Sequence, residues 1–105
     1  KADYEEHQEW ILYAEEADLL NIILFACTAK DWKESNPERF KNGENIRDMA
    51  TIMELAILSN LESLNSVLIK EAVSKEERFR ILSQTAADQR TSLKRLDFVQ
   101  SVKSL

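Results

Sequence analysis

His7 is the residue best equipped for chemistry, the one histidine of the chain, with Glu5, Glu6 and Glu9 close by. A metal site on a helix needs more than one strong donor at spacings of three or four, and neither HExxH nor a repeated ExxH occurs here. The cluster reads as a solvated acidic face. Cys27 is the one cysteine. A nucleophilic thiol needs a basic neighbour to lower its pKa, and a position at the start of a helix gives only a slight push, so a small buried residue is the expectation. Glu15, Glu16 and Asp18 suggest an acid and base pair, but such a pair needs environments that tune its members apart. First-turn acids facing a helix macrodipole account for all three. The single glycine, Gly43, cannot build a loop that cradles phosphate. No enzyme, cofactor, metal or small-molecule substrate is therefore expected.

Two other groups are chemically suggestive. Asn60, Glu62, Ser63 and Asn65 interrupt an apolar stripe in mid-helix, where such residues have mediocre propensity and buried ones need partners. Asn60 and Ser63 share one face. Together with Asn45, Arg47 and Asp48 they are expected to form a polar structural layer, tying the central helix to its neighbours. The sharper alternative is a layer that fixes register between two subunits. Arg78, Arg90, Lys94 and Arg95 are candidate phosphate contacts near the C-terminus. No aromatic residues interleave them as a nucleic-acid groove would require, so a solvated face or a salt-bridge partner for acidic segments competes with that reading.

The elements that must carry these residues are helices. With one glycine and one proline in 105 residues, the chain lacks the turns a sheet would need. Hydrophobic residues at 44% suffice for a single core, and 31% charge fits a watery surface. No unbroken apolar run reaches the roughly 18 residues of a membrane span. A lone cysteine fits a reducing compartment, and cytoplasm is the default. The opening at Lys1, without methionine or a signal pattern, is expected of a piece of something longer. Net charge is -5, against nucleic-acid binding by the whole chain, yet unevenly spread. Residues 1–35 hold nine acids against three bases, and residues 74–105 four against seven. This polarity suits packing of the acidic part beside the basic part, within one chain or between two.

The spacing predicts an all-α bundle with three principal helices, over about 14–26, 45–73 and 74–101, and one or two short helices between 28 and 41. Asp3 with Glu6 suggests a further short helix over 3–13. Thr28 and Asp31 resemble a capping box, Pro37 suits a first helical turn, Asn45 is a helix cap and Ser74 with Glu77 opens the last helix. Met49, Ile52, Met53, Ala56, Leu61, Leu64 and Leu68 form the stripe of the central helix, broadened by Leu55, Leu58, Ile69 and Ala72. Core or interface positions are Leu20, Leu24, Phe25 and Trp32 early in the chain. Leu55, Leu58, Leu61, Leu64, Phe79, Leu82 and Leu93 supply the rest. Gln89 falls between Ala86 and Leu93 where a heptad wants an apolar residue, so the last helix suits a bundle more than a coiled coil.

The runs Tyr13–Asn21 (YAEEADLLN), Phe25–Trp32 (FACTAKDW), Asn36-Pro37, Asn45–Asp48 (NIRD) and Leu58–Asn65 (LSNLESLN) resemble the tail of bacterial KilA-N domain proteins. The resemblance covers roughly residues 10–100 and implies that a DNA-binding KilA-N domain precedes this segment. It implies no catalytic motif. The tail is then an accessory module that pairs with a second copy or another protein, while DNA is held by the preceding domain. That family tends to have glycine where Ala26 and Ala72 stand, so both turns lose their easy left-handed residue here.

Overall fold

The computed structural model describes the backbone of residues 14–104 and the side chains of residues 14–95. The expected helix over 3–13, with Asp3, Glu6 and His7, lies outside the described residues. Within them the fold is all-α, without strands: α1 (Glu16–Phe25), α2 (Ala29–Ser35), α3 (Pro37–Lys41), a 3-10 turn η1 (Ile46–Met49), α4 (Ile52–Lys70) and α5 (Lys75–Ser104). Helices α1, α4 and α5 pack on one another and form the bundle.

The central helix is shorter than the periodicity suggests. Asn45 caps η1 instead of a long helix, accepting from the Arg47 amide at 2.9 Å while its own amide donates to Asp48 at 2.7 Å. Ala50 is then extended, with φ -81° and ψ 145°. A second reciprocal box restarts the chain: Thr51 Oγ1 accepts from the Glu54 amide and Glu54 Oε1 from the Thr51 amide, each at 3.0 Å. Two caps six residues apart compete with one continuous helix, and the second satisfies the donors that open α4. Thr28 and Asp31 form the box that opens α2, and Pro37 stands in the first turn of α3, where its missing amide hydrogen costs nothing. Ser74 Oγ accepts from the Glu77 amide at 3.2 Å to start α5.

Leu20 and Leu24 of α1 meet Ile57, Leu58 and Leu61 of α4 and Leu82 and Ala86 of α5 in the main core. Phe25, Leu64 and Leu93 pack against its edge. Phe79 packs on Ala14 and Leu19 in a smaller cluster. Trp32 and Ile46 are buried where α2 approaches η1, with the Arg39 guanidinium 5.6 Å from the indole centroid. The stripe needs correcting in two places. Ile57, which it omits, is fully buried, whereas Ile52, Leu55 and Ala56 are exposed. Ile52, Leu55 and Ala56 lie on the side of α4 turned away from the core, while Met53 of the same first turn packs against it.

Ala26 and Ala72 both adopt φ 60°, so both turns survive the loss of glycine. The Ala26 amide donates to the Ile22 carbonyl at 3.0 Å and ends α1. After α4, the Ala72 amide reaches the Ile69 carbonyl and the Val73 amide the Leu68 carbonyl, each at 3.0 Å, which is the Schellman pattern. A Cβ in the left-handed region costs roughly 1–2 kcal/mol, partly offset by the greater unfolded-state freedom of glycine. Ala26→Gly and Ala72→Gly are each expected to stabilise the fold by about 1 kcal/mol, additively, in urea melts. Both alanines are exposed, so no packing is lost.

Candidate protein–protein interface

The inner side of α4 is held at three levels. Near its start, Glu54 Oε2 pairs with Arg90 of α5 at 3.5 Å, and the same guanidinium donates to the Leu24 carbonyl at the end of α1 at 2.9 Å. Lower down, Glu62 pairs with Arg47 of η1 at 2.9 Å. Towards its end, buried Asn65 joins all three bundle helices: its Nδ2 donates to Glu16 Oε1 at 2.9 Å and its Oδ1 accepts from Arg78 Nε at 3.0 Å. Arg78 also reaches Glu16 Oε2 at 2.7 Å and the Val73 carbonyl at 2.9 Å. Among the described residues no buried side-chain polar atom is left without a partner. The rotation of α4 about its own axis is thereby fixed, and with it the face turned to solvent.

That outward face carries no charge between Ile52 and Val67. Leu55, Ala56, Ser59, Ser63, Ser66 and Val67 all lie on it and all are exposed, and Ile52 at its start is 88% exposed. Glu62 sits at the edge, turned to Arg47. In a chain with 31% charged residues, about four turns of solvent-facing helix without a charge are unusual, because a solvated face normally carries them. By length and composition α4 also meets the requirement for crossing a membrane, which a count of unbroken apolar runs does not reveal. Its inner side, however, is packed and hydrogen-bonded into the bundle, so only the outward strip is open.

The expected polar layer divides. Asn45, Arg47 and Asp48 build η1 and its tie to Glu62, and Asn60 Nδ2 donates to Gln89 Oε1 of α5 at 3.0 Å on the exposed rim. Ser63 takes no part in those ties and faces outward. The links to α1 run through Asn65 instead, whose placement with Glu16 and Arg78 needs tertiary packing to see.

The candidate phosphate contacts also divide. Arg78 is 7% exposed and spends its guanidinium on Glu16, Asn65 and Val73, so it has no face for a phosphate. Arg90 is committed to Glu54 and Leu24. Lys94 and Arg95 are exposed on α5. The Glu16–Arg78 pair joins the acidic and basic parts of one chain. Burial, and then the Asp31 charge, raise the Cys27 thiol above its ordinary pKa, the opposite of what a nucleophile needs. Among the described residues no three histidine, cysteine or acidic side chains stand together as metal ligands. A shallow groove of ≈ 240 Å³ lies between α1, η1 and α4, with Asn21, Ile46, Arg47 and Glu62 in its wall.

No protein-family model, curated protein or solved structure matches the chain. The likeness to KilA-N tails therefore stands on the motif residues alone. The outward strip is missing as a unit from the sequence reading, which places Leu55 among core or interface residues and Ser63 in the polar layer. Its signal is an absence, a helical face without charge, and it becomes visible once burial shows which side of α4 faces solvent.

Proposed function

We propose that the chain is a non-catalytic helical interaction module, working in the cytoplasm as the accessory part that follows the DNA-binding domain of a KilA-N-type protein. The observation that carries the interaction reading is the uncharged, exposed strip of α4 on a helix whose inner side is locked in place. Exposed Ile52, Leu55 and Val67 on one uncharged helix face support a role in association. The DNA-binding connection is supported by the quoted motifs. Pairing or docking through such a module raises the effective concentration of a linked DNA-binding domain at a second half-site without adding base contacts.

Direct nucleic-acid contact through α5 is disfavoured, because two of its four candidate cations, Arg78 and Arg90, serve the bundle. Lys94 and Arg95 alone give a weak, strongly salt-dependent term at most.

A photo-crosslinking amino acid at Ser59, in cells that produce the protein, tests the interaction reading. Adducts to protein are expected from Ser59, and few from the same probe at exposed Glu38 of α3. No protein adduct from Ser59, or equal yields from both positions, contradicts it.

A further inference from the structure

We propose that the groove between α1, η1 and α4 continues past Ile46 into a hollow between α2, α3 and η1, and that the two together bind an extended peptide segment of a partner protein, with an apolar side chain in each hollow and an acidic residue beside Lys30 and Lys33. This goes beyond the outward strip of α4, which is a different surface, and rests on the interaction reading only in taking the occupant to be a protein.

Two polar groups in these hollows are unspent. Asn21 of α1 is 9% exposed and lines the first hollow, yet its side-chain amide makes no hydrogen bond among the described residues. Trp32, 4% exposed, lines the second, of ≈ 250 Å³, and its indole N–H has no acceptor among them either. No sealed polar atom of the described side chains lacks a partner, so both groups reach water, and the hollows they line are their openings. A largely buried amide without a partner carries a cost that alanine, with its higher helix propensity, would not. A ligand that bonds to it recovers that cost. Asn45, exposed where the two hollows meet, spends its Oδ1 on the Arg47 amide and keeps its Nδ2 free.

A primary amide offers donors on one side and an acceptor on the other, which matches the N–H and C=O that one residue of an extended chain turns to the same side. Asn21 thus pairs with a peptide backbone, and Asn45 Nδ2 and the indole N–H each take a further carbonyl. Side chains of an extended segment alternate, so residues i and i+2 both face the groove and fill the neighbouring hollows, which share Ala29, Asn45 and Ile46. Hollows of this size, below the roughly 300 Å³ of the smallest ordinary small-molecule sites, seat single side chains. Leu20 and Leu58 line the first, and its two charges, Arg47 and Glu62, are paired at 2.9 Å, so an uncharged apolar side chain fits. Phe40 and Ile46 line the second, where both charges, Lys30 and Lys33, are positive. Lys33 Nζ is held 4.5 Å from the Phe40 centroid. Acids close in sequence are engaged elsewhere, Asp31 at the Thr28 amide, Asp48 at the Asn45 amide and Glu44 at Arg39. An acidic residue on the peptide is the complement.

The probe is a phage-displayed library of short random peptides panned on the intact chain, followed by fluorescence anisotropy with the selected peptides. Enriched peptides are expected to carry apolar residues at i and i+2 with an aspartate or glutamate at one end. Lys30→Glu combined with Lys33→Glu, and separately Asn21→Ala, should each weaken their binding by about tenfold or more, while Ser59→Glu leaves it unchanged. Asn21→Ala should keep the urea midpoint, since it breaks no hydrogen bond within the fold and alanine favours helix. No enrichment, enrichment without acidic residues, or equal binding by the parent chain and the groove variants overturns the proposal. A fall in midpoint for Asn21→Ala as large as that of Ile57→Ala would make the amide part of the fold and overturns it too. Loss of binding in Ser59→Glu but not in the groove variants moves the peptides to α4, which overturns the groove and keeps the interaction reading. The photo-probe at Ser59 tests that reading whether or not the groove binds.

Discussion

Arg78→Met is expected to destabilise the folded chain by about 3 kcal/mol in urea melts at neutral pH. The guanidinium makes three hydrogen bonds at 2.7–3.0 Å, to Glu16, Asn65 and the Val73 carbonyl, and its loss leaves Asn65 Oδ1 and that carbonyl without this donor in a buried setting. Arg78→Lys should recover little of the loss, because one ammonium cannot span three acceptors held by a planar fork. Glu16→Gln is expected to cost less, about 1 kcal/mol, since the Glu16 side chain is 42% exposed and water screens its charge. Equal, small effects of all three substitutions would show that the network does not hold α1, α4 and α5 together.

The second large effect concerns α4 itself. Ile57 is 0% exposed among Leu20, Leu24, Leu61 and Leu82, so Ile57→Ala should cost about 3 kcal/mol through lost burial and a residual cavity. Ile52→Ala, at a site 88% exposed, should stay within about 0.5 kcal/mol when measured in dilute solution. The ordering is the reverse of what the sequence stripe suggests. Comparable losses at both sites would mean that the helix is rotated from the position described.

These two cases show which parts of the fold a reader of the sequence can reach. Helix class follows from Gly43 and Pro37 standing alone between periodic segments, and the caps at Thr28, Pro37 and Ser74 are legible because their partners lie within four residues. The break at Ala50 is harder, since Asn45–Asp48 and Thr51–Glu54 are both acceptable boxes and the sequence alone does not say that both form. The omission of Ile57 has a different cause: Ile52 and Leu61, nine residues apart, lie on opposite sides of any helix that holds both, so the stripe follows apolar residue type over spacing.

The place of Arg78 in the bundle is equally hard to read from sequence. A basic residue on a long helix has the same sequence signature whether it faces phosphate or a buried acid. Its partner Glu16 lies 62 residues away, brought near only by the turn at Ala72 that sets the course of α5. The outward strip escapes notice because it is defined by what is missing. Serines at 59, 63 and 66 look like mediocre helix formers until the burial pattern assigns them a common face.

Sedimentation equilibrium of the intact chain beside its Ser59→Glu variant tests the central claim most directly. Glutamate has a higher helix propensity than serine and Ser59 is exposed, so the variant should keep its fold while placing a charge in the middle of the uncharged strip. The prediction is a concentration-dependent rise of the unsubstituted chain towards twice its mass of 12.2 kDa, with the variant remaining at the single mass and an unchanged denaturation midpoint in dilute solution. Equal association of the two chains would contradict the account, because the strip would then play no part in holding copies together.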